Sequence, residues 1–308
     1  MRAIADALAS PPLNALNYSL ILLDDCWSAT TRDNATGQLQ PDPARFPSGI
    51  PALVDYVSAR GLTLGLYTCA GTKTCKYGRP GSAYHYELDA QTLVGWGVRY
   101  IKADNCNTSP DMGAPREYFG NFSRAINATG IAVSFGSCEW GLDDVASWGP
   151  ALTQVYRVRP DHLPFWSFNI PGAYPPGGQG TGDIIEGLAN ASVTAGLAPF
   201  SYPDPDFLMT GLFQTEAESV TEFSFWALWS APMLVATDVR NMSAFKASVL
   251  ANADVLAVQW DAALKPASRL RGGTAQTWAK PLADGGAAVV LYNSDDAAAQ
   301  NVSNAWAG

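Results

Sequence analysis

The chain has 308 residues, enough to bury a sizeable core in one large domain or in a large and a small domain. Its net charge of -9 argues against nucleic-acid binding, because a row of phosphates would find no basic surface to neutralise it. No apolar run approaches the roughly 18 residues that a membrane-spanning helix needs.

Short apolar runs with strand character alternate with helical patterns over most of the chain. The predicted strands, in chain order, are residues 19–24, 63–68, 100–103, 132–137, 153–158, 199–202 and 233–237. The predicted helices are residues 3–9, 50–60, 89–96, 116–128, 183–195 and 216–230. Near-continuous apolar strands separated by helices indicate a parallel sheet covered on both faces. The pattern therefore favours an α/β fold, a (β/α)8 TIM barrel, over a doubly wound sheet.

The pattern changes near residue 261. We predict a catalytic barrel over residues 1–261, and counting its strands places the first barrel strand before Met1. Beyond it, residues 274–282, 287–293 and 302–306 alternate in polarity without intervening helices. Residues 262–308 are therefore predicted to begin a small antiparallel β-sandwich domain that ends before it could close.

The strongest candidate for chemistry is Asp104, which follows the predicted strand 100–103 directly. A carboxylate where a buried strand meets a loop is rigidly held and faces whatever binds there. Lys102 lies two residues earlier, on the same face of the strand, where an ammonium keeps a carboxylate ionised as a nucleophile requires. We predict that Asp104 is the nucleophile of a glycosidase; the alternative is an Asp that caps the next turn or helix.

Polar and aromatic residues also follow the other predicted strands, and in a parallel barrel such strand ends meet at one mouth. They are Asp24, Asp25, Tyr67, Glu139, Trp140, Arg157, Asp161, Asp204 and Asp206. Carboxylates, cations and aromatic faces together suit the recognition of a polyol. The chain has only two histidines and no HExxH, GxSxG or Walker A motif, and its Gly-rich segment 178–182 is a weak match to a dinucleotide site.

Several ordered sequence blocks resemble glycoside hydrolase family 27, the α-galactosidases and α-N-acetylgalactosaminidases. The blocks span most of residues 1–261: LDDCW at 23–27, FPSGI at 46–50, GLTLGLY at 61–67, GRPGS at 78–82, WGVRYIKADNC at 96–106, CEW at 138–140, DPD at 204–206 and APML at 231–234. The resemblance implies a retaining α-galactosidase with Asp104 as nucleophile, and it implies that Asp24, Asp25, Tyr67 and Lys102 hold the galactose hydroxyls. It also implies a disulfide bond between Cys75 and Cys106.

The family places its general acid/base four residues after an arginine at a strand end. Arg157 and Asp161 have this spacing, whereas Asp183 imitates the Thr-Gly-Asp found around the residue in many members. We prefer Asp161 because it follows a strand directly, while Asp183 suits the first turn of a helix. A retaining pair requires carboxyl groups about 5–6 Å apart.

Substrate choice is predicted from the pocket at C2 of the sugar. Family members selective for N-acetylgalactosamine have small residues there, whereas Glu139 and Leu142 are larger and favour a plain hydroxyl. An α-N-acetylgalactosaminidase and a β-L-arabinopyranosidase, whose sugar lacks only C6, stay open as alternatives. A catalytically silent galactoside-binding homologue also stays open, because Pro203 and Phe207 depart from the family pattern and the first strand is missing. The resemblance implies no metal or organic cofactor.

The compartment is predicted from glycosylation sequons, which begin at Asn17, Asn34, Asn107, Asn121, Asn127, Asn190, Asn241 and Asn301. Their number favours a secreted or lumenal (vacuolar or lysosomal) glycoprotein, with a signal peptide missing from this chain. The family's partner for Cys26 would lie before Met1, so its pairing with Cys69 is left open. The expected partner is a galactoside substrate, without nucleic acid or membrane; a homodimer is left open.

Overall fold

The computed structural model describes residues 1–76, 78–168, 178–189, 201–212 and 214–303. The chain divides into two compact units, Met1–Arg157 and Val158–Gly308. No helix within the described residues is both long and apolar enough to cross a membrane. The predicted boundary between residues 261 and 262 stays a prediction.

The first unit contains five parallel strands that alternate with helices, in the strand order β1-β2-β3-β4-β5. The strands are β1 (Leu20–Leu23), β2 (Thr63–Cys69), β3 (Tyr100–Asp104), β4 (Ser134–Cys138) and β5 (Val155–Arg157). The helices are α1 (Arg2–Leu8), α2 (Gly49–Ser58), α3 (Tyr86–Gly95), α4 (Pro115–Ala128) and α5 (Val145–Leu152).

Burial on both faces explains why these strands are almost continuously apolar. Six of the seven residues of β2 are buried, and helix α4 covers the sheet with Phe119 and Phe122, whose rings lie 6.5 and 5.3 Å from that of Phe135 on β4. The parallel register aligns Cys69, Asp104 and Cys138 across β2, β3 and β4. The ends of three neighbouring strands therefore lie at the same level of the sheet.

A glycine fixes the entry into β3. Gly97 has a φ of 92°, and a Cβ at this position would lie 2.8 Å from Cγ1 of Val54 on α2. Only glycine combines this left-handed backbone with so close an approach. The chain can therefore turn sharply from α3 into the strand that ends on Asp104.

The second unit combines helices with a three-stranded antiparallel sheet in the order β7-β8-β9. Its elements are α6 (Thr181–Gly187), β6 (Tyr202–Asp204), α7 (Glu216–Leu228), α8 (Ala244–Leu250), α9 (Ala253–Gln259), β7 (Ser268–Arg271), β8 (Ala275–Pro281) and β9 (Ala287–Asn293). Trp278 of β8 packs edge-on against Phe225 of α7, with ring centroids 5.1 Å apart, and against Trp229 at 6.1 Å. Sheet and helices thus share one aromatic core.

The structure agrees with most predicted elements but not with the strand at 233–237. That segment makes only an isolated bridge between Val235 and Leu208. Asp206 has a φ of 101° and turns the chain just before Leu208, so no extended partner is available for a ladder. The sequence interpretation also missed α5, α8, α9 and β7. Residues 190–195, 199–200 and 304–306 of other predicted elements lie outside the described residues.

Candidate active site

The carboxyl ends of β1 to β5 carry the polar residues that the sequence singled out. Asp24 and Asp25 follow β1, while Asp104 is the last residue of β3 and Glu139 follows β4. Tyr67 on β2 is the register partner of Lys102 on β3. Since register partners on neighbouring parallel strands point to the same face, the sheet brings these two side chains together.

Asp104 is held in one orientation by hydrogen bonds to both of its carboxylate oxygens. The Tyr67 hydroxyl donates to Oδ2 at 2.9 Å, and the backbone N–H of Asn105 donates to Oδ1 at 3.0 Å. The carbonyl of Asp104 accepts from the N–H of Ala70 at 2.7 Å. The residue is 8% exposed. Asp104 is thus a nearly buried carboxylate with fixed geometry, which is what a nucleophile requires.

The ammonium of Lys102 forms an ion pair with Asp24, at 2.7 Å from Oδ2. Burial disfavours the charged form of Asp24, but the charge and hydrogen bond of Lys102, the N–H of Asp25 and the charge of Arg157 together outweigh this effect and lower the pKa of the Asp24 carboxyl. The other oxygen of Asp24 accepts from the N–H of Asp25 at 2.8 Å. Asp24 is therefore kept ionised. The predicted effect of Lys102 on Asp104 stays a prediction.

A disulfide bond between Cys75 and Cys106 ties the segment after β2 to the segment after β3, as the resemblance implied. Next to it, the N–H of Lys76 donates to Oδ2 of Asp25 at 2.8 Å, and the N–H of Cys75 lies 3.4 Å from the Tyr67 hydroxyl. The disulfide therefore holds backbone donors against two of the predicted sugar-binding residues.

The pairing of Cys26 with Cys69 is not formed, because neither cysteine belongs to a disulfide bond. The thiol of Cys69 instead lies 3.2 Å from the carbonyl oxygen of Asp104 and 3.0 Å from that of Cys106. Burial and the nearby Asp104 charge raise the pKa of this thiol, so it stays protonated and acts as a donor.

Three predicted substrate contacts, Glu139, Trp140 and Arg157, are almost closed to solvent, with 0%, 6% and 2% of their surfaces exposed. Oε1 of Glu139 accepts from the Asn105 amide at 2.9 Å. Burial, together with the negative charge of Asp143, raises the pKa of Glu139 to about 8. Glu139 is therefore mainly protonated at neutral pH, and its contact with a sugar stays a prediction.

In the second unit, Asp161 is exposed, and the peptide group that follows it is fixed on both sides. Its carbonyl accepts from the N–H of Gln179 at 2.7 Å, while the N–H of His162 donates to Oδ2 of Asp206 at 2.7 Å. Asp206 was predicted to bind the sugar. Here its carboxylate contacts the backbone beside Asp161, and the role in sugar binding stays a prediction.

His162 anchors the same backbone from inside the unit and was missed as a site residue. Its Nδ1 lies 2.7 Å from the carbonyl oxygen of Phe207, and its Nε2 lies 2.8 Å from the hydroxyl of Thr181. A carbonyl can only accept, so Nδ1 carries a proton and donates to Phe207. The sequence offered no signal for His162 beyond its adjacency to Asp161.

Asp183, the rival for the acid/base role, has a structural function. Its carboxylate accepts from the N–H of Phe168 at 2.6 Å, from the N–H of Gly180 at 3.1 Å and from the hydroxyl of Ser167 at 3.1 Å. It thereby caps α6, which is the role that its position in a first helical turn predicted.

Sequence comparison finds a matching family profile and several relatives that are named alpha-galactosidase. The profile of the alpha galactosidase A family (Melibiase_2) matches residues 1–261. Alpha-galactosidase 2 of Arabidopsis thaliana is 35% identical over 317 residues, which cover 100% of this chain and 74% of that protein. The alpha-galactosidase of Coffea arabica is 38% identical over 295 residues, or 95% of this chain and 74% of that protein.

Solved structures give the same result. Alpha-galactosidase I from Mortierella vinacea superposes with a TM-score of 0.91 at 28% identity, covering 96% of this chain and 77% of that one. The α-galactosidase from Saccharomyces cerevisiae with raffinose gives 0.89 at 28% identity, over 95% and 69%. The likeness confirms the predicted (β/α)8 barrel fold class with a C-terminal antiparallel β region. The family profile matches residues 1–261, and a relative is 35% identical over an alignment that covers all of this chain. The chain therefore belongs to the alpha galactosidase A family of glycoside hydrolases, as its motifs predicted.

Proposed function

We propose that this chain is a retaining α-galactosidase that removes terminal α-D-galactosyl residues from oligosaccharides or glycoconjugates. The observation that carries the proposal is the Asp104 carboxylate, fixed by Tyr67 and Asn105 at the end of β3 in a chain whose named relatives are α-galactosidases. A nearly buried carboxylate with both oxygens oriented suits in-line attack on a sugar carbon.

The reaction runs by double displacement. A carboxylate oxygen of Asp104 attacks the anomeric carbon of the α-galactoside, and the bond to the leaving oxygen breaks as protonated Asp161 donates its proton to that oxygen. Asp161, now ionised, takes a proton from water, and the resulting hydroxide attacks the same carbon. The bond to Asp104 breaks, and galactose leaves with its α configuration retained.

The hydroxyls of galactose are held by groups of the first unit. Ionised Asp24, kept charged by Lys102 at 2.7 Å, accepts hydrogen bonds from hydroxyls, and the ammonium donates to them. Asp25 adds a second carboxylate whose position depends on the N–H of Lys76. Glu139 and Leu142 leave room for a hydroxyl at C2 but crowd an acetamido group, which favours galactose over N-acetylgalactosamine.

The roles of the two carboxylates are tested with azide. Asp104→Ala should abolish turnover of an α-galactoside, and azide should restore it by direct attack from the opposite face, giving β-galactosyl azide. With 4-nitrophenyl α-galactoside, whose leaving group needs no proton, Asp161→Ala should lower kcat by about 10²–10⁴-fold, and azide should restore it through the glycosyl-enzyme, giving α-galactosyl azide. The anomer formed identifies the residue that was removed.

Asp183→Ala is the matched control, because Asp183 has the rival sequence motif and a capping role. It should weaken the fold without any azide product. Azide rescue of Asp183→Ala would contradict the assignment of Asp161. Binding of an α-galactoside by the unmodified chain without hydrolysis would contradict the enzyme proposal and favour a silent galactoside-binding protein.

The proposed location is a secreted or lumenal compartment. A disulfide bond such as Cys75–Cys106 persists in oxidising surroundings and is rare in the cytosol. The sequon asparagines within the described residues, from Asn17 to Asn301, are all exposed, as glycosylation requires. Both observations support a glycoprotein made in the secretory pathway.

A further inference from the structure

A loop that begins at Asp161 is packed tightly onto the Gly-rich segment that follows it in sequence. This acid/base loop comprises residues 161–168. Four backbone hydrogen bonds hold it to residues 179–182: Gln179 N–H to Asp161 O at 2.7 Å, Leu163 N–H to Gln179 O at 2.8 Å, Thr181 N–H to Phe165 O at 3.0 Å and Gly182 N–H to Trp166 O at 2.8 Å. The loop therefore has a fixed backbone although it has no regular secondary structure.

The glycines of the segment make this packing possible. A Cβ at Gly180 would lie 2.4 Å from the carbonyl oxygen of Trp166, and one at Gly178 would lie 2.8 Å from that of Asp161. Neither contact could be relieved without moving the backbone. The acid/base loop thus packs directly on the backbone of the Gly-rich segment. Asp183 fixes the other end of the loop by accepting hydrogen bonds from Ser167 and Phe168.

This rigid loop presents a pair of aromatic rings. Phe165 and Phe168 stack with ring centroids 5.4 Å apart and an interplanar angle of 23°. Phe165 nevertheless keeps 47% of its surface exposed. A fixed, exposed aromatic ring offers a flat apolar face at little cost in conformational entropy, which suits a ligand with an apolar face of its own.

We propose that Phe165 and Phe168 form a stacking platform for the leaving-group sugar, the ring whose oxygen is released from galactose. The proposal rests on the proposed function, in which Asp161 protonates that oxygen and must lie within hydrogen-bond reach of it. Phe165 is four residues from Asp161, at most about 14 Å along the chain. The proposal places the carbohydrate ring bonded to that oxygen against the exposed face of Phe165, within this reach of Asp161.

The test compares two substrates that share the galactosyl group and differ in the leaving group. Raffinose carries a leaving-group sugar, whereas α-galactosyl fluoride carries none and needs no proton from the acid. Phe165→Ala and Phe168→Ala should each lower kcat/KM for raffinose by about tenfold, as expected for the loss of one aromatic contact, and leave that for the fluoride unchanged. Phe165→Leu, which keeps the apolar volume without the ring, should likewise lower kcat/KM for raffinose and leave that for the fluoride unchanged.

Trp260→Ala is the matched control, because Trp260 is a similarly exposed aromatic residue, at 44%, elsewhere in the same unit. It should leave both substrates unaffected. Equal effects of Phe165→Ala and Phe165→Leu on raffinose and fluoride, or no effect on either, would overturn the platform while leaving the proposed function in place. Failure of the unmodified chain to hydrolyse either substrate would overturn both.

Discussion

At the scale of single residues, the proposed chemistry depends on how each carboxylate is solvated and paired. Asp24, Asp104 and Glu139 all follow or end parallel strands, yet their surroundings differ. Asp24 is paired with Lys102, Asp104 receives two hydrogen bonds, and Glu139 is fully buried beside Asn105. Three acidic side chains at equivalent strand ends are therefore suited to different protonation states.

Replacing Lys102 by Met should make substrate binding more sensitive to acid. Without the ammonium, the lowered pKa of Asp24 rises, so that Asp24 becomes protonated and loses its role as an acceptor at a higher pH than in the unmodified chain. We expect the acid limb of the kcat/KM profile to move to higher pH. Lys102→Arg, which keeps the charge, should leave the acid limb near its position in the unmodified chain; an unmoved acid limb in Lys102→Met would contradict the role of the ion pair.

The position of Asp104 could be predicted from sequence because it requires only that a buried strand end there. The directions of Trp140 and Asp206 could not. These two residues have φ values of 59° and 101°, in the left-handed region that non-glycine residues seldom adopt. Such a backbone turns the side chain away from the direction that strand alternation predicts. No pattern of residue types in the sequence predicts this backbone conformation at either position.

At the scale of elements, the helices that were missed are short, although α1 and α6, with seven residues each, were predicted. Helices α8 and α9 have seven residues each, too few for apolar periodicity to stand out. Their N-terminal caps were nevertheless readable, since the side chains of Ser243 and Asn252 accept from Lys246 N and Val255 N. Helices α8 and α9 were thus marked by their caps.

Removing the disulfide bond should loosen the predicted galactose site as well as the fold. Replacing Cys75 and Cys106 by Ser opens a loop with a sequence separation of 31 residues and should lower the free energy of unfolding by about 3 kcal/mol. The N–H groups of Cys75 and Lys76 would lose their fixed positions against Tyr67 and Asp25, so KM for an α-galactoside should rise more than kcat falls.

Denaturant unfolding and steady-state kinetics measure the two effects. Cys26→Ser is the matched control, because Cys26 lies outside any disulfide bond. A double variant with unchanged KM would show that the disulfide serves stability alone.

At the scale of the whole molecule, two buried carboxyl groups should make stability depend on pH. Burial raises the pKa of Glu139 to about 8 and that of Glu222 to about 7, both from 4.5. In these ranges the folded chain binds more protons than the unfolded chain, so each group makes stability fall as pH rises, by at most about 1.4 kcal/mol per pH unit.

Glu139→Gln should therefore flatten the decline of stability with rising pH up to about 8, and Glu222→Gln should flatten it up to about 7. Urea unfolding at a series of pH values measures the slopes. Exposed Glu216→Gln is the control and should leave the slope unchanged. If the unmodified chain and Glu139→Gln share one slope, Glu139 is not protonated in the folded state.

The packing of β8 has a consequence for how the C-terminal region can be handled. Lys280 is fully buried, and its ammonium donates to the Ser230 hydroxyl at 2.6 Å and to the carbonyl of Val258, while Trp278 closes over Phe225 and Trp229. A chain that ends at residue 261 would lack Trp278 and Lys280. The rings of Phe225 and Trp229 would then be exposed to solvent, and this apolar surface would favour aggregation. Residue 261, where the sequence pattern changes, is therefore the wrong place to end the chain.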